Sequence, residues 1–126
     1  MKSCRRLRLS MNERDAIRLR HMLDESYKVQ QFLDGQTRSA LDTNDLLAYA
    51  VRYALQIIGE AAAQVSTETR NQYPQIQWKD IVGMRQWLVH GYERVENDII
   101  WNTIHDDMPP LIEQLETILS PPDADA

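Results

Sequence analysis

Apolar residues recur every three or four positions along most of this chain, a spacing typical of amphipathic α-helices. The first such stretch predicts a helix over about residues 12–33. Ser10 or Asn12 is suited to cap its start, and Gly35 can adopt the left-handed conformation that ends a helix. The broad apolar side of this helix contains Ile17, Leu19, Met22, Leu23, Tyr27 and Leu33.

A polar loop is predicted at residues 36–42, and a second helix follows over about residues 43–65 with Asp42 or Thr43 as its N-cap. Its apolar stripe is wide and includes several small side chains, which permit close contact with neighbouring helices. We therefore expect this helix at the centre of the fold. The stripe consists of Leu47, Ala50, Val51, Ala54, Leu55, Ile58, Ala61, Ala62 and Val65.

Residues 66–73 predict a short helix or turn, which Pro74 ends. A further helix is predicted from about residue 77 to residue 90. Its apolar side consists of Ile81, Met84, Leu88 and Val89. We expect the large aromatic residues to anchor the core or an interface rather than to stack on bases; these are Trp78, Trp87 and Trp101.

The last helix is predicted over about residues 96–119, with a kink or short break at Pro109 and Pro110. Its core side consists of Ile99, Ile100, Trp101, Ile104, Met108, Leu111, Ile112, Leu115, Ile118 and Leu119. No segment has the alternating pattern of a strand. Together these elements predict an all-α fold, a four-to-five-helix up-and-down bundle.

The length of 126 residues and the 43% hydrophobic content fit one globular domain. We assign the domain to residues 12–119 and expect a disordered tail at 120–126. Residues 1–11 are expected to form a flexible basic extension, because four basic side chains and no acidic one lie there: Lys2, Arg5, Arg6 and Arg8. This extension is either frayed or absent through a start at Met11, or it is an arm that contacts RNA.

The formal net charge of −5 argues against sequence-independent binding of nucleic acid, unless basic residues converge locally, for example across a dimer interface. The single cysteine, Cys4, cannot form an internal disulfide and fits a reducing, cytoplasmic setting. No apolar stretch reaches the roughly 18 residues of a membrane span. We expect neither a metal nor a cofactor, since the three histidines lack metal-site spacing and no glycine-rich phosphate loop is present.

Arg85, His90 and Tyr92 offer candidate chemistry. The arginine fork can bind a phosphate, and the histidine can exchange a proton with a ribose hydroxyl or a leaving oxygen. On a continuous helix Arg85 and Tyr92 lie within about 20° of each other, whereas Arg85 and His90 are about 140° apart. The same segment of a second copy could complete such a site. On spacing alone, helix capping or a partner salt bridge is the other interpretation.

Most of the chain, from about residue 12 to residue 119, resembles the HepT-like family of HEPN-domain proteins. The resemblance is carried by the segments IIGEAA (57–62), YP (73–74), IVGMR (81–85), LVHGY (88–92), IW (100–101) and DMP (107–109). The signature of that family, Arg-x4-His-x-Tyr, is matched here by Arg85, His90 and Tyr92.

This resemblance implies a dimeric HEPN-like bundle with the signature at or near the interface. It implies a metal-independent ribonuclease toxin of a type II or type VII toxin–antitoxin system, with Arg85 and His90 as catalytic residues. The expected partners are RNA, a second copy and an MNT-type nucleotidyltransferase antitoxin, which would adenylylate Tyr92. The added AMP would bring bulk and negative charge into a phosphate site and so block RNA.

Three other residues are candidate supports for the site. Gln86 stands where many relatives have Asn or Asp, and the longer side chain could lower the rate. Glu60 is either a buried partner of Arg85 or Arg52, or part of a solvated face, and Arg52 either lines the groove or lies on the helix surface. His21 is expected on the surface. The alternative function is a non-catalytic helical dimer that docks to a nucleotidyltransferase or binds its substrate.

Overall fold

The computed structural model describes residues 11–90 and 94–120, with side chains for residues 11–88 and 97–120. Within these ranges every regular element is helical, which confirms the predicted all-α fold. The elements are α1 (Glu13–Leu33), α2 (Ala40–Thr43), α3 (Asp45–Gln64), α4 (Thr67–Gln72), α5 (Trp78–His90), α6 (Arg94–Asn102), a π-helical segment (Thr103–Asp107) and α7 (Met108–Leu119). Residues 1–10 of the predicted extension (1–11) and residues 121–126 of the predicted tail (120–126) lie outside the described residues.

The central position of α3 is confirmed, because it packs against both α1 and α5, while α7 packs against α1. The predicted apolar stripes supply most of the core. Its most deeply buried large side chains include Leu19, Met22, Leu55, Ile58, Ile100 and Leu115. Trp78 is buried, and Trp87 and Trp101 pack against the core as predicted. No helix in the described part of the chain has the length and apolarity needed to cross a bilayer.

The start and end of α1 follow the local signals. Asn12 caps the helix, since its Oδ1 accepts a hydrogen bond from the Asp15 amide at 2.8 Å. Gly35 has φ +75°, the left-handed conformation predicted for it. Met11, placed by prediction at the end of the extension, is instead buried in the core.

The predicted cap of the central helix was wrong. Asn44 caps α3, and its Oδ1 accepts a hydrogen bond from the Leu47 amide at 3.0 Å. Asp42 and Thr43 belong to the short helix α2, which occupies part of the predicted loop. Asp42 is held there by tertiary contacts, because it accepts a hydrogen bond from Asn97 of α6 at 2.9 Å.

Three predicted core residues are exposed in the structure, because each helix buries a narrower face than its apolar stripe covers. They are Ile17, Tyr27 and Ile99. The exposed Tyr27 joins α1 to α7, since its hydroxyl donates a hydrogen bond to Glu116.

The predicted break in the last helix is present but lies one turn before the prolines. Residues Thr103–Asp107 form a π-helical segment, and Pro109 and Pro110 fall in the first turn of α7. Both prolines lack an N–H group and cannot donate to the carbonyls one turn earlier. The wider π-helical turn accommodates these missing hydrogen bonds, and the chain continues directly into α7.

A buried carboxylate joins the start of α1 to the start of α4, and the sequence pattern did not indicate it. Asp15 is only 2% exposed. It accepts hydrogen bonds from the Ser66 amide at 3.0 Å, from the Ser66 hydroxyl at 2.6 Å and from the Thr69 hydroxyl. Burial raises the pKa of Asp15, but the hydrogen bonds from Ser66 and Thr69 outweigh it, so the pKa lies below its ordinary value.

Candidate active site

Arg85 is exposed on α5, and its aliphatic stem lies over Gly59 of α3. A Cβ atom at Gly59 would stand 3.1 Å from Arg85 Cγ and 3.1 Å from the carbonyl oxygen of Ile81. Such distances are shorter than almost all contacts of real Cβ atoms, so a larger residue would push α5 or Arg85 away. The absence of a side chain at Gly59 therefore allows Arg85 to lie across the central helix.

An open pocket of about 500 Å³ lies at Arg85 between α1, α3 and α5. Its described lining consists of Arg18, His21, Ile57, Glu60, Ala61, Gln64 and Arg85. Two guanidinium groups and one carboxylate give this lining a net charge of +1 with the imidazole neutral. A chain of net charge −5 thus brings basic groups together at one place, which is the condition that an RNA function requires.

Glu60 is exposed and lines the pocket with Arg85, so it is not the buried partner that one interpretation proposed. Among the described side chains, no ion pair within 4.0 Å joins it to Arg85 or Arg52. Gln86 is exposed on α5 and does not line this pocket.

Arg52 lies away from the pocket, although it was a candidate for lining it. Its guanidinium donates a hydrogen bond to Asn97 Oδ1 at 3.0 Å, and Asn97 donates in turn to Asp42 at 2.9 Å. These bonds join α3 to α2 and α6. Arg52 is half-buried and takes part in contacts between helices.

His90 is the last residue of α5, but its side chain lies outside the described part, and Tyr92 lies outside it altogether. The grouping of these two side chains with Arg85 therefore stays a prediction. The helical backbone of α5 from Arg85 to His90 keeps the angle of about 140° between the two positions that was expected from the sequence.

Arg18 and His21 were not among the predicted site residues, yet both line the pocket of Arg85. His21 is exposed as predicted, and Arg18 is partly buried. They lie three residues apart on one face of α1. This spacing was visible in the sequence, but only the packing of α1 and α5 against α3 shows what the pair faces.

Among the described side chains, no group of three or more His, Cys, Asp or Glu residues could hold a metal ion.

Residues 22–118 match the family profile described as Ribonuclease HepT-like. The chain belongs to the HepT-like ribonuclease family. A Caldanaerobacter subterraneus subsp. tengcongensis protein is 35% identical over 80% of this chain and 90% of its own length. A Methanocaldococcus jannaschii protein is 29% identical over 77% of this chain and 89% of its own length. Both are named "Putative RNase".

A third HepT-like relative, from Thermococcus cleftensis, is named "Probable ribonuclease HepT". It is 34% identical over 56% of this chain and 64% of its own length. No solved structure gives a significant match to the chain. The family membership confirms the resemblance seen in the sequence and supports ribonuclease activity.

Proposed function

We propose that this protein is a metal-independent endoribonuclease, the toxin of a type II or type VII toxin–antitoxin system, and that it acts in the cytoplasm. The observation that best supports this is the pocket at Arg85, where an acidic chain presents two guanidinium groups to solvent. The names of the HepT-like relatives support the same substrate class. Arg85 and His90 are the proposed catalytic residues.

In the proposed reaction the 2′-hydroxyl of the RNA attacks the neighbouring phosphorus, and the bond from phosphorus to the 5′-oxygen breaks. The products are a 2′,3′-cyclic phosphate and a free 5′-hydroxyl. Arg85 binds the phosphate oxygens and stabilises the charge that develops on them. His90 exchanges a proton with the attacking hydroxyl or with the leaving oxygen. The nucleophile belongs to the RNA, so no metal-bound water is needed.

We expect the purified protein to cleave single-stranded RNA at an unchanged rate in excess EDTA and to leave 2′,3′-cyclic phosphate ends. Mass spectrometry of the fragments would identify these ends. As a second check, the 3′ ends of the fragments should fail to ligate to a 5′-labelled oligonucleotide. RNA in which every 2′-hydroxyl is methylated serves as the matched substrate control, because it lacks the nucleophile. Cleavage of that RNA, or loss of activity in EDTA, would contradict the mechanism.

The functional unit is proposed to be a homodimer that meets along α3. Three large side chains of this helix are exposed on one face: Leu46 at 81%, Tyr49 at 74% and Tyr53 at 66%. Apolar groups grouped in this way are typical of a protein interface. At about 100° per residue, Ile57, Glu60 and Gln64 continue the same face of α3 into the pocket. A second copy on this face would place two Arg85 pockets near one another.

Leu46→Glu is expected to convert the dimer into monomers, because it puts a charge into an apolar interface. Light scattering coupled to size-exclusion chromatography would show the mass fall from twice that of the chain to that of one chain. Ile99→Glu is the control, since Ile99 is an exposed apolar residue on α6 rather than α3. A dimer that persists in Leu46→Glu but dissociates in Ile99→Glu would place the interface elsewhere.

The proposed antitoxin is an MNT-type nucleotidyltransferase that adenylylates Tyr92. Coexpression with such an enzyme is expected to raise the mass of the chain by whole AMP units and to suppress RNA cleavage. Tyr92→Phe lacks the acceptor hydroxyl and should stay unmodified and active. Peptide mass spectra that locate AMP on another residue would rule out this assignment of the modified site.

A further inference from the structure

We propose that Arg18 and His21 of α1 bind the RNA backbone beside the phosphate held by Arg85. This inference rests on the proposed ribonuclease function and extends its site to a third helix. Both side chains line the same pocket as Arg85. Arg85 would hold the phosphate that reacts, and the α1 pair would hold a neighbouring phosphate of the strand.

The orientation of the α1 pair is set by the core. Leu19 and Met22, each the next residue after one of the pair, are fully buried. They hold α1 against α3, so Arg18 and His21 share one face that cannot turn away from the pocket. Because core packing fixes the backbone of α1 in advance, the helix need not reorient to present the pair to a ligand.

The guanidinium of Arg18 has capacity to bind an anion. Among the described side chains it forms no ion pair, and neither does Arg85. The other arginines of the neighbourhood have partners: Arg20 lies 4.0 Å from Asp24, and Arg70 donates to carbonyls in the last turn of α3. A planar fork of donors suits phosphate oxygens better than any other group in this acidic chain.

The size and charge of the pocket fit a strand rather than an isolated phosphate. A volume of about 500 Å³ has room for a nucleotide and its flanking phosphate. Glu60 also lines the pocket and opposes an anion, but two guanidinium groups exceed its charge. Its carboxylate and the amide of Gln64 can accept or donate hydrogen bonds to a ribose or a base, which an inorganic anion would not use.

The test compares Arg18→Gln and His21→Gln with Arg20→Gln, a matched change on another face of α1. Binding is measured by fluorescence anisotropy with a 2′-O-methyl RNA oligonucleotide, which cannot be cleaved. We expect Arg18→Gln to weaken binding about tenfold, with a smaller loss for His21→Gln. The slope of log K against log salt should fall by about 0.7 for the lost phosphate contact. Arg18→Lys should recover part of the affinity, because it keeps the charge but not the fork.

Kinetics on cleavable RNA separate this role from catalysis: KM should rise in Arg18→Gln while kcat stays within about twofold. Binding and KM equal to those of Arg20→Gln, with matching thermal stability, would overturn the inference and leave the ribonuclease proposal standing. Wild-type protein that binds the oligonucleotide through Arg18 but cleaves no RNA would support the inference and overturn the ribonuclease proposal. Absence of any RNA binding by the wild type would overturn both.

Discussion

Arg85→Ala is expected to lower kcat/KM for RNA cleavage by at least about a thousandfold, because it removes the donors that stabilise charge on the reacting phosphate. His90→Ala is expected to cause a loss of similar size through the missing proton transfer. Arg85→Ala should keep the fold, since Arg85 is exposed and contributes only its stem to packing over Gly59. Rates are measured on a labelled RNA with folding checked by circular dichroism.

Lys79→Ala provides the control for Arg85→Ala. Lys79 is an exposed cation on the same helix and does not line the pocket of Arg85, so its loss tests the effect of charge alone. Cleavage that survives in both Arg85→Ala and His90→Ala would remove this site from the mechanism. If wild type neither cleaves RNA nor arrests the growth of a bacterial host, the protein is better explained as a docking or substrate-binding subunit for a nucleotidyltransferase.

Asp15→Ala is expected to lower the free energy of unfolding by about 3 kcal/mol, because it leaves the donors of half-buried Ser66 and buried Thr69 without their acceptor. Urea denaturation measures this change. Asp24→Ala is the control, since Asp24 is an exposed carboxylate on the same helix with a distant ion pair to Arg20 at 4.0 Å. Equal losses in the two variants would show that the hydrogen bonds around Asp15 add no more to the free energy of unfolding than an exposed carboxylate does.

The contribution of Asp15 also depends on pH in a definite direction. The hydrogen bonds from Ser66 and Thr69 lower its pKa in the folded protein despite the opposing effect of burial. Its stabilising effect is therefore complete above the pKa of an unfolded aspartate, about 3.9, and is lost as pH falls through the lower folded value. The stability difference between wild type and Asp15→Asn should shrink over that acidic range and stay constant between pH 5 and 7.

Local sequence signals predicted the elements that depend on neighbours in the chain. The period of apolar residues identified the long helices, and Asn12 and Gly35 marked the two ends of α1. These signals succeed because a cap or a left-handed glycine acts within a few residues. The same reasoning failed around α2, where several adjacent polar residues can each cap a helix. Contacts of Asp42 and Arg38 with Asn97 and Asp98 on α6 hold that segment as a short helix instead.

Arg85 was predicted as a site residue from the sequence, because its spacing to His90 and Tyr92 matches a family signature. The buried network of Asp15 between α1 and α4 was not predicted, since its partner Ser66 lies 51 residues away. Nor could Arg18 and His21 be assigned to the site, because a charged pair on a helix face is ordinarily solvated and its spacing does not say what it faces.

The sequence by itself determined the helices, their order and the family, since periodicity, caps and a short signature are all read over a few neighbouring residues. Only the tertiary structure decided which helix faces meet: Gly59 lets α5 approach α3 closely enough to lay Arg85 across it, and α1 then brings Arg18 and His21 to the same pocket. The physical reason is that packing depends on the fit between surfaces that lie far apart in the chain. The shape of those surfaces exists only once the core has formed.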